Sequence, residues 1–258
     1  MDFRKPLIMG VLNMTPDSFS DGGRYNAYPE SRIAQLVRQG ADIIDIGGES
    51  TGPNSKNVDL EEEGRRVRPA VDYACATKLV EKIPFSIDTY KAAMAEYALM
   101  RGFEIVNDVT AMRGDPNMLS VLLRHKPYVI LMYAKDPTPR TTTAKVEYDD
   151  VVKTVKDFLK ERIRILLDSG FPREKIIVDP GMGMFVSAEA KYSFELIERL
   201  DEIRALGFPV CVCASYKSFL GGLIEDRGPA SVEWSLKAIK NGASIVRVHD
   251  VGDMKKAL

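Results

Sequence analysis

Residues 7–23 read LIMGVLNMTPDSFSDGG. The first seven, LIMGVLN (7–13), are almost wholly apolar. They give way to a loop of amides, hydroxyls and carboxylates in which Phe19 is the single large ring. An uninterrupted apolar run of this length reads as a strand covered on both faces, as in a parallel sheet packed between helices. The loop after it bears on the topology. No G-x-G-x-x-G comes after this first run, whereas an open doubly wound sheet that holds a dinucleotide carries one there.

Seven further runs repeat the pattern of apolar residues ending in polar ones: DIIDIGGES (42–50), FSIDT (85–89), IVNDV (105–109), YVILMY (128–133), KIIVDPG (175–181), VCVCAS (210–215) and SIVRVHD (244–250). They are rich in Val and Ile and mostly continuous rather than alternating. Between them the apolar spacing turns helical. Val67, Ala70, Val71 and Ala74 follow i, i+3, i+4, i+7, and Val152, Val155, Leu159, Ile163 and Leu166 hold one stripe through the longest helix, near 147–168. Asp59 with Glu62 resembles a capping box, and Pro69 is expected to kink or divide that helical segment. Gly40, Gly102, Gly170 and Gly242 fall just past helix candidates, where a left-handed cap favours glycine. Strand–helix alternation repeated eight times over about 250 residues predicts an α/β fold, a TIM (β/α)8 barrel, with the whole of 1–258 as one domain. The last helix (252–258) is expected to be too short to cover its side of the barrel well.

Composition narrows the function classes. The chain has 258 residues, 45% apolar and 28% charged, with a formal net charge of −1. That balance gives no reason to expect nucleic acid or a lipid surface as partner. No apolar run approaches the roughly 20 residues of a membrane helix, and the N-terminus does not read as a signal peptide. Three cysteines, Cys75, Cys211 and Cys213, make a poor disulfide framework and suggest a reducing compartment, hence a cytoplasmic protein. Cys211 and Cys213 would share one strand face as packing residues.

In a barrel of this kind the site forms at the C-terminal strand ends. Those ends carry Asn13, Asp45, Glu49, Thr51, Asp88, Asn107, Asp108, Tyr133, Asp179, Ser215, Lys217, Arg247 and His249. Polar endings on all eight strands are more than loop composition requires. The set divides chemically. Asp88, Asn107, Asp179 and Lys217 offer acceptors and donors suited to a flat, nitrogen-rich heterocycle, whereas Asn13, Arg247 and His249 suit an anion such as a phosphate. The other histidine, His125, sits at a probable helix end and reads as a surface cap. No Ser-His-Asp or Cys-His pattern supports a nucleophilic side chain.

These residues sit in motifs that resemble the dihydropteroate synthase family along nearly the whole chain: GVLNMTPDSFSDGG (10–23), DIIDIGGEST (42–51), SIDT (86–89), NDV (107–109), DPGMG (179–183), YKSFLGG (216–222) and RVHDV (247–251). The resemblance implies a folate-pathway transferase that condenses 6-hydroxymethyl-7,8-dihydropterin pyrophosphate with 4-aminobenzoate and is a sulfonamide target. It implies pterin binding by Asp88, Asn107, Asp179 and Lys217. Pyrophosphate would be bound by Arg247, His249 and Asn13, with Asn13 helping to hold Mg²⁺. Aminobenzoate would lie against Thr51, Pro53, Ser215 and Phe19. Residues 14–23 would form a lid, with Asp21 facing the reacting centre. Catalysis would then rest on Asp21, Phe19, Lys217, Arg247 and His249. Family members are commonly homodimers, with contact expected through 229–241 and 252–258.

Four stretches depart from the family pattern. Gly52 stands where Ser-Thr-Arg-Pro has arginine, and Tyr216 where Ser-Arg-Lys-Ser has arginine. Tyr133-Ala134 replaces a His-Met pair and is succeeded by KDPTPR (135–140), and Met184-Phe185 stands where Gly-Lys is usual. Some of these stretches resemble sulfonamide-resistance variants of the family. Arg140, Lys135 and Arg227 are candidates to replace the lost anion-binding charge. A different arylamine acceptor, a low-activity pterin-binding paralogue and a methyltransferase-type pterin domain are the alternative readings.

Overall fold

In the computed structural model, which describes residues 1–15 and 29–258, the eight runs become eight parallel strands. They are β1 (Leu7–Asn13), β2 (Ile43–Gly47), β3 (Phe85–Asp88), β4 (Ile105–Asp108), β5 (Tyr128–Met132), β6 (Ile176–Asp179), β7 (Cys211–Val212) and β8 (Ile245–Val248). Neighbours in sequence pair in order from β1 to β6, β8 pairs with both β1 and β7, and a parallel bridge between Val178 and Val210 closes β6 onto β7. At that closure the Val178 N–H donates to Pro209 O at 3.0 Å. The sheet therefore has no free edge, and the expected barrel is formed. The described helices are α1 (Pro29–Arg38), α2 (Leu60–Ala76), α3 (Ala92–Leu99), α4 (Met118–His125), α5 (Val151–Asp168), α6 (Ala190–Glu198), α7 (Leu200–Arg204), α8 (Gly228–Lys240) and α9 (Val251–Ala257).

Continuous apolar strands serve two cores here. Ile8, Ile44, Ile46, Phe85, Ile87, Val129 and Leu131 face outward against the helices, and all are fully buried. Inside the barrel, Met9, Ile43, Ile105, Ile130, Ile177, Cys211 and Ile245 form a separate buried layer. Met1, Phe3, Leu7 and Tyr128 pack against it from the N-terminal end. That layer fills the lower barrel, as interior layers do in this fold.

Several local expectations hold and four need correction. The α5 stripe is buried as read, but the helix begins at Val151, where the Asp150 side chain accepts from Lys153 N–H at 2.9 Å. Asp59 caps α2, accepting from Glu62 N–H at 2.8 Å. The Glu62 carboxylate does not return to the cap as a capping box requires; it pairs with Arg65 and Arg66. Pro69 does not divide α2, which runs unbroken from Leu60 to Ala76. Pro69 lies on the exposed side of that helix, so water can reach the carbonyl that its missing N–H leaves unmatched. The four glycines past helix ends all take positive φ, Gly102 at +88° and Gly170 at +81°. Finally, α9 does cover its side of the barrel, since its Val251 and Met254 are fully buried. Gly10 on β1 permits the approach: a Cβ there would lie 2.9 Å from Val251 and 3.1 Å from Leu36.

Candidate functional site

Side chains alternate along a strand, so the residue two beyond each interior floor residue points into the upper barrel. Ile43 leads to Asp45, Ile105 to Asn107, Ile177 to Asp179, Cys211 to Cys213 and Ile245 to Arg247. The interior therefore changes from apolar to ionic within one layer. Arg247 lies at the centre of it. Its Nε donates to Asp45 Oδ2 and its Nη2 to Asp88 Oδ2, both at 2.7 Å, and its Nη1 lies 3.8 Å from Cys213 Sγ. Asn107 Nδ2 donates to the same Asp45 oxygen at 3.1 Å. One guanidinium thus ties β8 to β2 and β3 across the barrel.

Above this layer opens a cleft of about 550 Å³. Asn13, Thr51, Pro53, Asp88, Ser215, Lys217, Arg247 and His249 all line it. Asn107 and Asp179 are expected in the same set but lie beneath the lining, 8% and 4% exposed. Glu49 lines the cleft with its carboxylate committed to Lys91 and Arg140. Two other strand-end residues stay out. The Asp108 carboxylate accepts from Thr110 N–H and Met112 N–H, shaping the turn after β4. The Tyr133 hydroxyl meets Tyr148 OH at 3.1 Å. Cys211 and Cys213 share the interior face, as expected of packing residues. Phe19 and Asp21 lie outside the described residues, as does most of the expected lid.

Charge in the cleft is strongly coupled. Burial pushes the Asp179 carboxyl up to about 6, opposed by the Gly181 N–H bond and by Lys217 and Arg247. Burial also raises Asp88, against the pull of Arg247 and with a push from Asp45. His249 is held well below its ordinary value by burial and then by Arg247, Lys217 and Arg32, so its ring is neutral at pH 7. Ser215 Oγ accepts from the His249 backbone N–H at 3.2 Å and lies 2.9 Å from Nδ1. The Lys217 ammonium makes no hydrogen bond or ion pair with a described residue, and it lies 4.9 Å from the centre of the Phe185 ring.

The raised Asp179 carboxyl has a consequence for stability. An unfolded aspartate loses its proton near 4, the folded one only near 6. Between those values the folded state binds more protons, so this group makes stability fall as pH rises from about 4 to 6. Denaturant unfolding of Asp179→Asn is expected to lack that decline; a parallel decline in both proteins would remove the assignment.

The family described as "Pterin binding enzyme" matches residues 9–249. The chain belongs to the pterin-binding enzyme family. A relative named dihydropteroate synthase, from Synechocystis, is 38% identical, covering 97% of this chain and 87% of its own. Xanthomonas albilineans dihydropteroate synthase, solved with 4-aminobenzoic acid, superposes with a TM-score of 0.89 at 35% identity, covering 100% of this chain and 92% of that one. The same enzyme in complex with 7,8-dihydropteroate gives a TM-score of 0.85. No described helix of this pterin-binding enzyme is long and apolar enough to cross a membrane.

The three cations suggested as replacements for the absent arginines are committed elsewhere. Lys135 Nζ donates to Asp136, Thr141, Thr142 O and Met184 O at 2.7–2.9 Å. Arg227 holds the carbonyls of Tyr216, Gly221 and Gly222. Arg140 donates to Glu49, Ser55 O, Lys56 O and Asn57. Tyr216, where the family has arginine, bonds through its hydroxyl to Asp250. Sequence reading assigned Asp45 no role, although a carboxylate inside a continuous apolar run was a visible signal for a buried ion pair. The cleft contacts of Thr141, Met182 and Ile224 had no such signal, because they come from loops.

Proposed function

We propose that this chain is a dihydropteroate synthase, a transferase that joins the methylene carbon of 6-hydroxymethyl-7,8-dihydropterin pyrophosphate to the amine of 4-aminobenzoate. The observation that carries this reading is one barrel mouth where Asp88 and Lys217, with Asn107 and Asp179 beneath the lining, lie together with Asn13, Arg247 and His249. The first group suits the edges of a pterin. Ionised at neutral pH, Asp179 would accept from the ring amino group and N–H, and Lys217 would donate to the ring carbonyl. Asp88 and Asn107 supply the remaining polar contacts. The neutral His249 ring, which lines the cleft, would hydrogen-bond to the diphosphate. Arg247 contributes mainly its field, since Nε and Nη2 are held by Asp45 and Asp88.

Mg²⁺ belongs to the same reading. Among the described residues there is no group of three metal-ligating side chains, and the cleft carboxylates Asp88 and Glu49 are paired with cations. Those residues would fit an ion brought in by the diphosphate, with the Asn13 amide oxygen as the protein group that would help to hold it. Bound there, it would neutralise charge on the leaving anion.

The substitution is SN1-like. The methylene C–O bond breaks with its electron pair leaving on pyrophosphate, the amine lone pair then forms the C–N bond, and the nitrogen passes its proton to the departing pyrophosphate or to water. Asp21 and Phe19 keep the parts the family resemblance gives them, on the reacting centre and over the arylamine. Thr51, Pro53 and Ser215 line the arylamine end. The reading extends to a homodimer through α8 and α9, as the family resemblance implies, and to the cytoplasm, supported by three unpaired cysteines.

Pyrophosphate release measured with and without 4-aminobenzoate tests the reaction. Release that depends on the arylamine is expected. Release only with a glycosylated aniline would transfer the reading to another acceptor, and no release with either would reject it.

A further inference from the structure

The segment between β2 and α2 has little to hold it in shape. Residues 50–57 contain no helix or strand, and their internal bonds are few, chiefly Ser55 N–H and Oγ–H to Gly52 O at 3.3 and 2.7 Å. Gly52 adds freedom, since among the described residues the only neighbour within 4 Å of its absent Cβ is Ser50 Oγ at 3.6 Å. Yet Thr51 and Pro53 on this segment line the cleft. The order comes from another loop. Arg140, after β5, donates from Nε to Ser55 O at 3.1 Å and from Nη2 to Lys56 O at 2.8 Å, and it also reaches Asn57 and Glu49. Beside it, Thr141 N–H donates to Thr51 O at 3.1 Å. Arg140 does not itself line the cleft.

We infer that Arg140 is a positioning residue for the arylamine end of the site, acting through the 50–57 segment. The inference rests on the functional reading above. A planar fork that satisfies several carbonyls at once removes loop conformations before substrate arrives, and that lowers the ordering cost of binding. Three tethers from Arg140 to one irregular segment, with a fourth to Glu49 beside it, are more than a single exposed ion pair would supply. The effect is confined to one substrate because the pterin set is held otherwise. Asp88 and Asp179 end β3 and β6, Asn107 is next to last on β4, and none of their hydrogen bonds passes through Arg140.

The test is steady-state kinetics of wild type, Arg140→Ala and Arg140→Lys with each substrate varied, alongside amide exchange over 50–57. Arg140→Ala is expected to raise the KM for 4-aminobenzoate roughly tenfold, leave the KM for the pterin pyrophosphate within about twofold, and speed exchange at 50–57. Arg140→Lys keeps the charge against Glu49 without the fork, so it is expected to recover only part of the loss. If the alanine variant does not fold, the lysine variant carries the same test. Equal rises in both KM values, or no rise in either, would overturn the inference while leaving the reaction intact. A wild-type protein inactive with 4-aminobenzoate would overturn the functional reading and the inference together.

Discussion

Arg247→Ala is expected to destabilise the protein by about 3–5 kcal/mol, the usual cost of removing one partner from a buried ion pair. Asp45 is fully buried, and its Oδ2 depends on Arg247 and Asn107 for compensation. Its Oδ1 has no partner among the described residues. Deleting the guanidinium leaves that carboxylate, with Asp88 nearby, in a poorly hydrated barrel. At roughly 2–4 °C per kcal/mol for a chain of this size, the thermal midpoint falls by about 6–20 °C. Asp88, already raised by burial against the pull of Arg247, would rise further without the guanidinium, so the folded variant holds a proton that the unfolded chain releases. The deficit therefore shrinks as pH falls from 7 towards 5. Unfolding curves at both pH values measure it. A loss under about 1 kcal/mol would mean that the charges are hydrated and that Arg247 is free to serve the cleft.

Asp179→Ala is expected to abolish pterin binding while leaving most of the stability in place. Two charge-assisted hydrogen bonds at about 1.5–3 kcal/mol each amount to roughly a hundredfold to ten-thousandfold in affinity. Within the protein the substitution removes one bond, from Gly181 N–H to Oδ1 at 2.7 Å, a cost of about 1 kcal/mol. The turn beyond it stays constrained by Gly181, whose φ of +70° and approach to Tyr133 O leave no room for a Cβ. Calorimetry with the pterin pyrophosphate reads the result. Because the charged form is the acceptor, wild-type affinity is also expected to weaken as pH falls through about 6. Unchanged affinity in the alanine variant would sink the pterin assignment.

The order of strands and helices was legible because two periods recur in the chain: continuous Val- and Ile-rich runs, and helical stripes such as Val152 to Leu166. Boundaries were less so. The run at 210–215 yields a two-residue strand, and the segment near 147–168 starts its helix only where Asp150 provides a cap. The anion-binding substitutes could not be chosen from sequence, since a lysine or arginine at the right strand end reads the same whether it faces solvent, a cleft or a carbonyl. Lys135, Arg140 and Arg227 all turned to carbonyls and carboxylates of neighbouring loops.

Covalent order thus decided which residues reach the mouth of the barrel. Each strand alternates sides, and the residue two beyond an interior Ile enters the next layer. Those local rules bring Asp45, Asn107, Asp179 and Arg247 inward without reference to the rest of the fold. The pairing among them came only from closure of the barrel. Residues 202 apart, Asp45 and Arg247, meet because β8 lies beside β1 and the two charges, taken from water, are stable only against each other. Closure likewise set Arg140 against the 50–57 segment, because the loops after β2 and β5 meet only at the mouth of the closed barrel.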